Sequence, residues 1–173
     1  MSTVLVRNGA SGFSSVGYDC HAQLTSIMTE YERPLYSFVL SIAHDSDVAL
    51  DCVQDTFLRA YEALKRGKSI NSAWLYTVAR NRSMDEFRRK RWIHQDPDAL
   101  DYVPVYHSSD ESVVVQGVLD RMNPTDREVL HLFVDAGFKT DEIGAIMGMN
   151  GTAIRQRLYR ARERFRALYG RED

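Results

Sequence analysis

Residues 139–162, KTDEIGAIMGMNGTAIRQRLYRAR, read as a helix, a tight turn and a second helix loaded with arginine. Thr140 is placed to cap the first helix with Glu142 in its positive first turn, and Gly148 ends it by supplying the left-handed conformation that most residues avoid. Asn150 can cap the second helix, where Ile154, Leu158, Ala161 and Phe165 recur at helical spacing and face a core. The other face then gathers Arg155, Gln156, Tyr159 and Arg160, with Thr152 one turn earlier. That face has the chemistry to read bases. Arginine holds guanine through two donors, glutamine does the same to adenine, and tyrosine adds contact area or a phosphate hydrogen bond. Residues 155–166 hold six arginines against one acid, more positive charge than solubility requires, so phosphate attraction is the economical explanation.

Working outward, a chain of 173 residues with 44% hydrophobic content can bury one large core or two small ones. Its net charge of −2 would argue against a nucleic-acid partner if it were evenly spread. It is not: residues 1–64 carry eight acids and three basic residues, whereas residues 65–91 carry nine basic residues and two acids. Two cysteines, Cys20 and Cys52, make neither a disulfide framework nor a four-ligand zinc site, and the histidines lack ligand spacing. The sequence has no glycine-rich phosphate loop, nucleophile elbow or paired-carboxylate pattern. It therefore reads as no enzyme, with no catalytic residue, no metal and no cofactor. Lacking a membrane-length apolar run or a signal-peptide pattern, it is expected in the cytoplasm with no membrane insertion.

The predicted fold is all-α: two small helical domains joined by a flexible acidic linker, the C-terminal one a helix-turn-helix. Residues 1–20 are expected to be a mobile extension, 21–94 the first domain, 95–111 the linker and 112–173 the second domain. Four helices are expected before residue 92. One runs over about 21–44 with Pro34 as a kink or break, and one from just after Asp47 to about Lys65, burying Leu50, Val53, Phe57 and Leu64. The last long one runs from Ser72 to about Trp92. Residues 95–111 contain two prolines and five acids with no lysine or arginine, a linker composition that divides the chain. Beyond it a short helix is expected near 112–121, followed by Asn123-Pro124 as cap and first helical residue of a helix ending near Gly137.

Two surfaces of the first half carry chemistry. The helix from Trp74 to Trp92 interleaves rings with a basic tail that includes Arg80, Arg82, Arg88 and Arg91, with the amide Asn81 among them, a pattern that suits unstacked single-stranded DNA because rings stack on bases and cations hold phosphates. For Trp74 alone, a core position is the stronger reading. The preceding helix places Asp51, Gln54, Asp55 and Leu58 at offsets of zero, three, four and seven, a compact acidic and amide patch with an apolar centre. Taken alone it is a solvated face; beside a DNA-binding helix it suits a protein dock.

Four segments together resemble a bacterial sigma factor of the extracytoplasmic-function (ECF) group, over about residues 24–170. The stretch 51–61, DCVQDTFLRAY, is similar to that family's polymerase-binding segment, and 73–81, AWLYTVARN, to its minus-10 recognition helix. The stretches 124–130, PTDREVL, and 151–158, GTAIRQRL, with Ala161-Arg162 resemble its minus-35 reading domain. The resemblance implies that Asp51, Gln54, Asp55 and Leu58 dock on the clamp helices of the polymerase's largest subunit. It implies that Lys68, Ser69, Asn71, Trp74, Tyr76, Arg80, Asn81 and Arg88 engage the minus-10 strand around a flipped base, whose unstacking those contacts must offset. Thr152, Arg155, Gln156, Tyr159 and Arg160 would read the minus-35 duplex. The implied partners are core RNA polymerase, through clamp helices and upstream-element flap, promoter DNA, and an anti-sigma factor.

Three features depart from the family pattern: Met122 where leucine is common, the Arg155-Gln156 pair, and residues 1–20, which have no counterpart. The acids Asp96, Asp98 and Asp101 are expected to mimic nucleic-acid charge in the polymerase channel. The alternative is a stand-alone helix-turn-helix regulator binding an operator, which explains the C-terminus equally well but leaves the aromatic-basic helix and the acidic patch without a role.

Overall fold

The structure, a computed structural model, describes the chain over residues 16–94 and 110–170, and its side chains over 19–86, 88–89 and 114–170. Those residues form seven α-helices and no strand: α1 (Val16–Ala43), α2 (Ser46–Lys65), α3 (Ser72–His94), α4 (Asp110–Asp120), α5 (Pro124–Val134), α6 (Thr140–Met147) and α7 (Gly151–Tyr169). The expectations for residues 1–15, for the linker acids Asp96, Asp98 and Asp101, and for the side chain of Trp92 lie outside the described residues.

Among the described residues three helices, not four, make up the chain as far as residue 94, because Pro34 does not break α1. The proline is on the exposed side, so the carbonyl that loses its N–H partner faces water rather than the core. His44 closes α1 with a positive φ of 52°, unusual outside glycine, and donates its backbone N–H to Leu40. Asp45 then caps α2 by accepting from the backbone N–H groups of Asp47 and Val48, each at 3.0 Å. The buried stripe of α2 is Ala49, Cys52, Val53, Thr56, Phe57, Ala60, Ala63 and Leu64. Leu50 is a correction: it is 48% exposed, because the helical phase that buries Ala49 and Val53 carries positions 50, 54 and 58 outward together.

In the second half the expected caps form, with one shift. Asn123 accepts from Thr125 N–H at 3.0 Å ahead of Pro124, and Asn150 accepts from Ala153 N–H at 2.7 Å. For α6 the capping residue is Lys139 rather than Thr140: the Lys139 N–H donates to the Glu142 carboxylate at 2.8 Å and Thr140 becomes the first helical residue. Gly148 takes the left-handed conformation at φ 68°. Gly144 lets the α6–α7 turn fold back on α6, since a Cβ there would lie 2.5 Å from the Met149 carbonyl oxygen.

The helices α1–α3 form one bundle and α4–α7 a second, and the two touch, α1 against α5 and α3 against α6. Phe38, fully buried, packs its ring 5.1 Å from Tyr76 in its own bundle and 5.4 Å from His131 in the other. Tyr76 in turn meets Phe138 edge-on at 5.1 Å. At the border of this apolar contact Arg80 donates to the Glu128 carboxylate, and Arg127 lies 2.6 Å from the His44 imidazole. Burial first, and then the neighbouring Arg127 charge, hold the His44 imidazole below its ordinary range, the neutral state that can accept from a guanidinium.

Two outcomes follow from this packing. Gly144→Val should destabilise the second bundle by about 1–3 kcal/mol or more, because backbone at the turn cannot yield as a side chain could; chemical denaturation of the full chain measures it. Burial pushes the Cys52 thiol up to about 11. At pH 8 its thiolate fraction is therefore roughly a hundredfold below that of an ordinary thiol, and alkylation of Cys52, followed by peptide mass spectrometry, should wait for unfolding.

Candidate nucleic-acid interface

The turn at Gly148–Asn150 aims α7 so that Ile154, Leu158 and Ala161 are buried while Arg155, Gln156, Tyr159 and Arg160 stand in solvent, Tyr159 at 68% exposure. Phe165 is half-buried at the end of that seam. Arg155 is steered by its own surroundings: one nitrogen donates to Thr152 Oγ1 at 2.9 Å and another is 3.6 Å from the Asp141 carboxylate. Exposed pairs of this kind contribute at most about 1 kcal/mol, whereas a two-donor contact to guanine discriminates by about 1–3 kcal/mol. A base can therefore take Arg155 from Asp141.

The count of six arginines overstates the charge offered to DNA. Arg157 is half-buried and reaches back to Asp126 at 2.9 Å, Arg162 covers the Phe133 ring at 4.7 Å, and Arg166 pairs with Glu163 at 2.6 Å. Each belongs to the face that joins α7 to its bundle or runs along it. None of these partners could be told from spacing along α7 alone, except Glu163.

In the first bundle Lys68, Ser69, Asn71, Asn81 and Arg88 are exposed, and Arg88 has Asp85 at 3.6 Å. The Asn71 side chain caps α3 by accepting from Trp74 N–H at 2.8 Å, which fixes the loop–helix junction. Trp74 is half-buried. Two residues are not where an open strand could reach them. Tyr76 is 3% exposed, a correction to its expected exposure, because the α3 phase that buries Leu75 and Ala79 also turns Tyr76 between Phe38 and Phe138. Arg80 has 17% of its side chain exposed and is held by Glu128, itself 5% exposed. Burial raises the Glu128 carboxyl above its ordinary range, although Arg80 pulls the other way.

On α2, Asp51 and Gln54 are exposed and Leu58 is 64% exposed. Asp55 is partly engaged: Arg59 bonds it at 2.8 Å, and Arg82 of α3 approaches it at 3.7 Å while bonding Glu86 at 2.8 Å. Beside this patch an open groove of about 1130 Å³ runs between α1 and α2, lined by Leu24, Met28, Leu40, Leu50 and Phe57, with Gln54 and Leu58 contributing. Among the described residues no group of three His, Cys, Asp or Glu could hold a metal ion, and no helix is long and apolar enough to cross a membrane.

Comparison with known proteins fits this geometry. Residues 27–93 match the model of sigma-70 region 2 and residues 112–165 that of sigma-70 region 4. An ECF RNA polymerase sigma factor of Rhodopseudomonas palustris, EcfG, is 31% identical over 150 residues, which are 80% of this chain and 82% of that one. The ECF RNA polymerase sigma factor SigM of Bacillus subtilis is 29% identical over 156 residues, 86% of this chain and 96% of that one. Among solved structures, the sigma factor RpoE of Bartonella quintana, in complex with the anti-sigma factor NepR, matches with a TM-score of 0.73 and 26% identity over 87% of this chain and 96% of that one. The chain belongs to the sigma-70 family, in its extracytoplasmic-function group, and is an RNA polymerase sigma factor.

Arg160→Ala should weaken polymerase-dependent binding by about 1–3 kcal/mol on a promoter carrying its upstream element, and by much less when that element is scrambled. Equal losses on both templates would make Arg160 a phosphate contact.

Proposed function

We propose that this sigma factor docks on core polymerase through the α2 face of Asp51, Gln54, Asp55 and Leu58. The adjoining groove between α1 and α2 offers apolar area to a partner helix, and the acids offer charge to basic residues beside it. Exposed Arg155, Gln156, Tyr159 and Arg160, with Thr152 at the start of α7, read the minus-35 duplex. Lys68, Ser69, Asn71, Asn81 and Arg88, with Trp74 half-exposed, take the minus-10 strand once it is unstacked, and Tyr76 and Arg80 join them only after leaving their contacts with the second bundle. Opening is then a trapping of the melted strand rather than a chemical step.

The observation that carries this reading is the coexistence, in one chain, of an exposed arginine-glutamine helix face and an exposed acidic-apolar helix face on separate bundles. A lone operator-binding regulator has no use for the second. The complexes of the Bartonella quintana factor with NepR and of CnrH with the cytosolic domain of CnrY support a further partner, an anti-sigma factor.

Run-off transcription of genomic fragments by core polymerase with and without the chain tests the whole reading. Within it, changing Gln54 and Asp55 together to lysine should abolish co-purification with core enzyme, since charge of the wrong sign at a dock costs several kcal/mol; helical content should stay intact, because Gln54 is exposed and the pairs that Asp55 gives up with Arg59 and Arg82 are surface pairs. Unchanged co-purification would sink the dock.

A further inference from the structure

Arg155 has two partners, and they come from opposite sides of the Gly148–Asn150 turn. Thr152, one turn earlier on α7, accepts from Nη2 through its Oγ1 at 2.9 Å. Asp141, in the first turn of α6, has its carboxylate 3.6 Å from Nη1. Three features fix where that carboxylate stands. Asp141 lies inside the turn that Glu142 closes by accepting from the Lys139 N–H. A Cβ on Gly151 would overlap its Oδ1 and lie 3.1 Å from its Cγ, so glycine at the start of α7 leaves the carboxylate its place. That place is the positive end of α7, a helix with no acid in its own first turn, and the macrodipole there favours an anion. The Asp141 side chain is 82% exposed and that of Arg155 56%, and an ion pair so exposed adds little to stability. Its effect falls on Arg155 rather than on the fold.

We propose that Asp141 is a positioning residue for sequence recognition: from α6, and together with Thr152, it sets where the Arg155 guanidinium stands before DNA arrives. The two contacts draw the fork toward the N-terminal end of α7, the end that a recognition helix presents to base edges. They leave enough of its N–H groups free for both acceptors of a guanine lying where the fork already faces. Any other acceptor, a neighbouring base pair or a phosphate, requires the long side chain to swing away from Thr152 and Asp141 and give up both. The pair is weak enough to yield, so it does not lock Arg155; it makes the wrong contacts dearer than the right one. Gly151 serves the same end by leaving room for the carboxylate. The proposal rests on the reading of α7 as the minus-35 reader.

The test is a base-preference profile. Core polymerase carrying the full chain selects from a pool of duplexes randomised through the upstream element, and the bound fraction is sequenced. Arg155→Ala should flatten the preference for guanine at one base pair by at least about fivefold. Asp141→Ala, which removes the carboxylate, and Gly151→Ala, which keeps the charge and only displaces it, should each flatten that same position by about three- to fivefold and leave the other positions as they were. Both should keep the parent's helical content by circular dichroism, since alanine suits both helical positions. In the Arg155→Ala background neither should change the profile further, a dependence that a merely structural role would not show. An unchanged profile in both variants would overturn the positioning. So would flattening by only one of them, which makes it an effect of net charge or of the turn, and so would flattening that persists without Arg155, which puts Asp141 on a base itself. A parent with no upstream preference, or one indifferent to Arg155→Ala, would overturn the minus-35 reading and the positioning with it, whereas flattening by Arg155→Ala alone overturns the positioning only.

Discussion

The ring of Phe38 has to be kept dry from two sides, and only one of them belongs to its own bundle. Tyr76 covers one part and His131, from α5, another. Tyr76 is in the same position, with Phe38 on one side and Phe138 beyond it. Each large side chain buried this way contributes roughly 2–3 kcal/mol relative to leaving it in water, and aromatic pairs add about 0.5–1.5 kcal/mol. That sum exceeds what the exposed ion pairs elsewhere on the surface supply. The bundles therefore adhere through a handful of rings, while the charged groups at the border, Arg80 with Glu128 and Arg127 with His44, fix the register at which those rings meet.

A second dependence runs through Asp55. It bonds Arg59 on its own helix and approaches Arg82 on α3, which also bonds Glu86. The proposed docking face and the proposed strand-reading helix are thus parts of one electrostatic chain, although they come from different helices. A cationic partner that draws on Asp55 alters the balance of charge around Arg82 without touching α3.

What could be read from the residue order was what short-range chemistry writes there. The Gly148–Asn150 turn, the Asn123-Pro124 start of α5 and the apolar seam of α7 each depend on neighbours within one or two helical turns, and each forms as expected. The shift from Thr140 to Lys139 as capping residue is one position, settled by Glu142 reaching back to a backbone N–H. Pro34 was read from a local rule, but its outcome depends on which side of α1 meets water, which only packing decides. Leu50 and Tyr76 went the other way for the same reason: hydrophobic residues at helical spacing fit more than one stripe, and the neighbouring helices choose the phase. Glu128 was read only as part of a helical segment, since its partner Arg80 lies 48 residues earlier in the chain. No spacing rule reports such a pair.

The two-sidedness of α7 has a further consequence. The buried side chains Ile154, Leu158 and Ala161, continued by half-buried Phe165 and Leu168 and flanked by Arg157 and Arg162, attach it to its bundle, and none of them belongs to the face carrying Gln156, Tyr159 and Arg160. Descendants of this gene can therefore vary the outer face through many substitutions without passing through an unfolded intermediate; with that face as the proposed reader of the minus-35 duplex, a duplicated copy can drift to new promoters while its architecture stays the same.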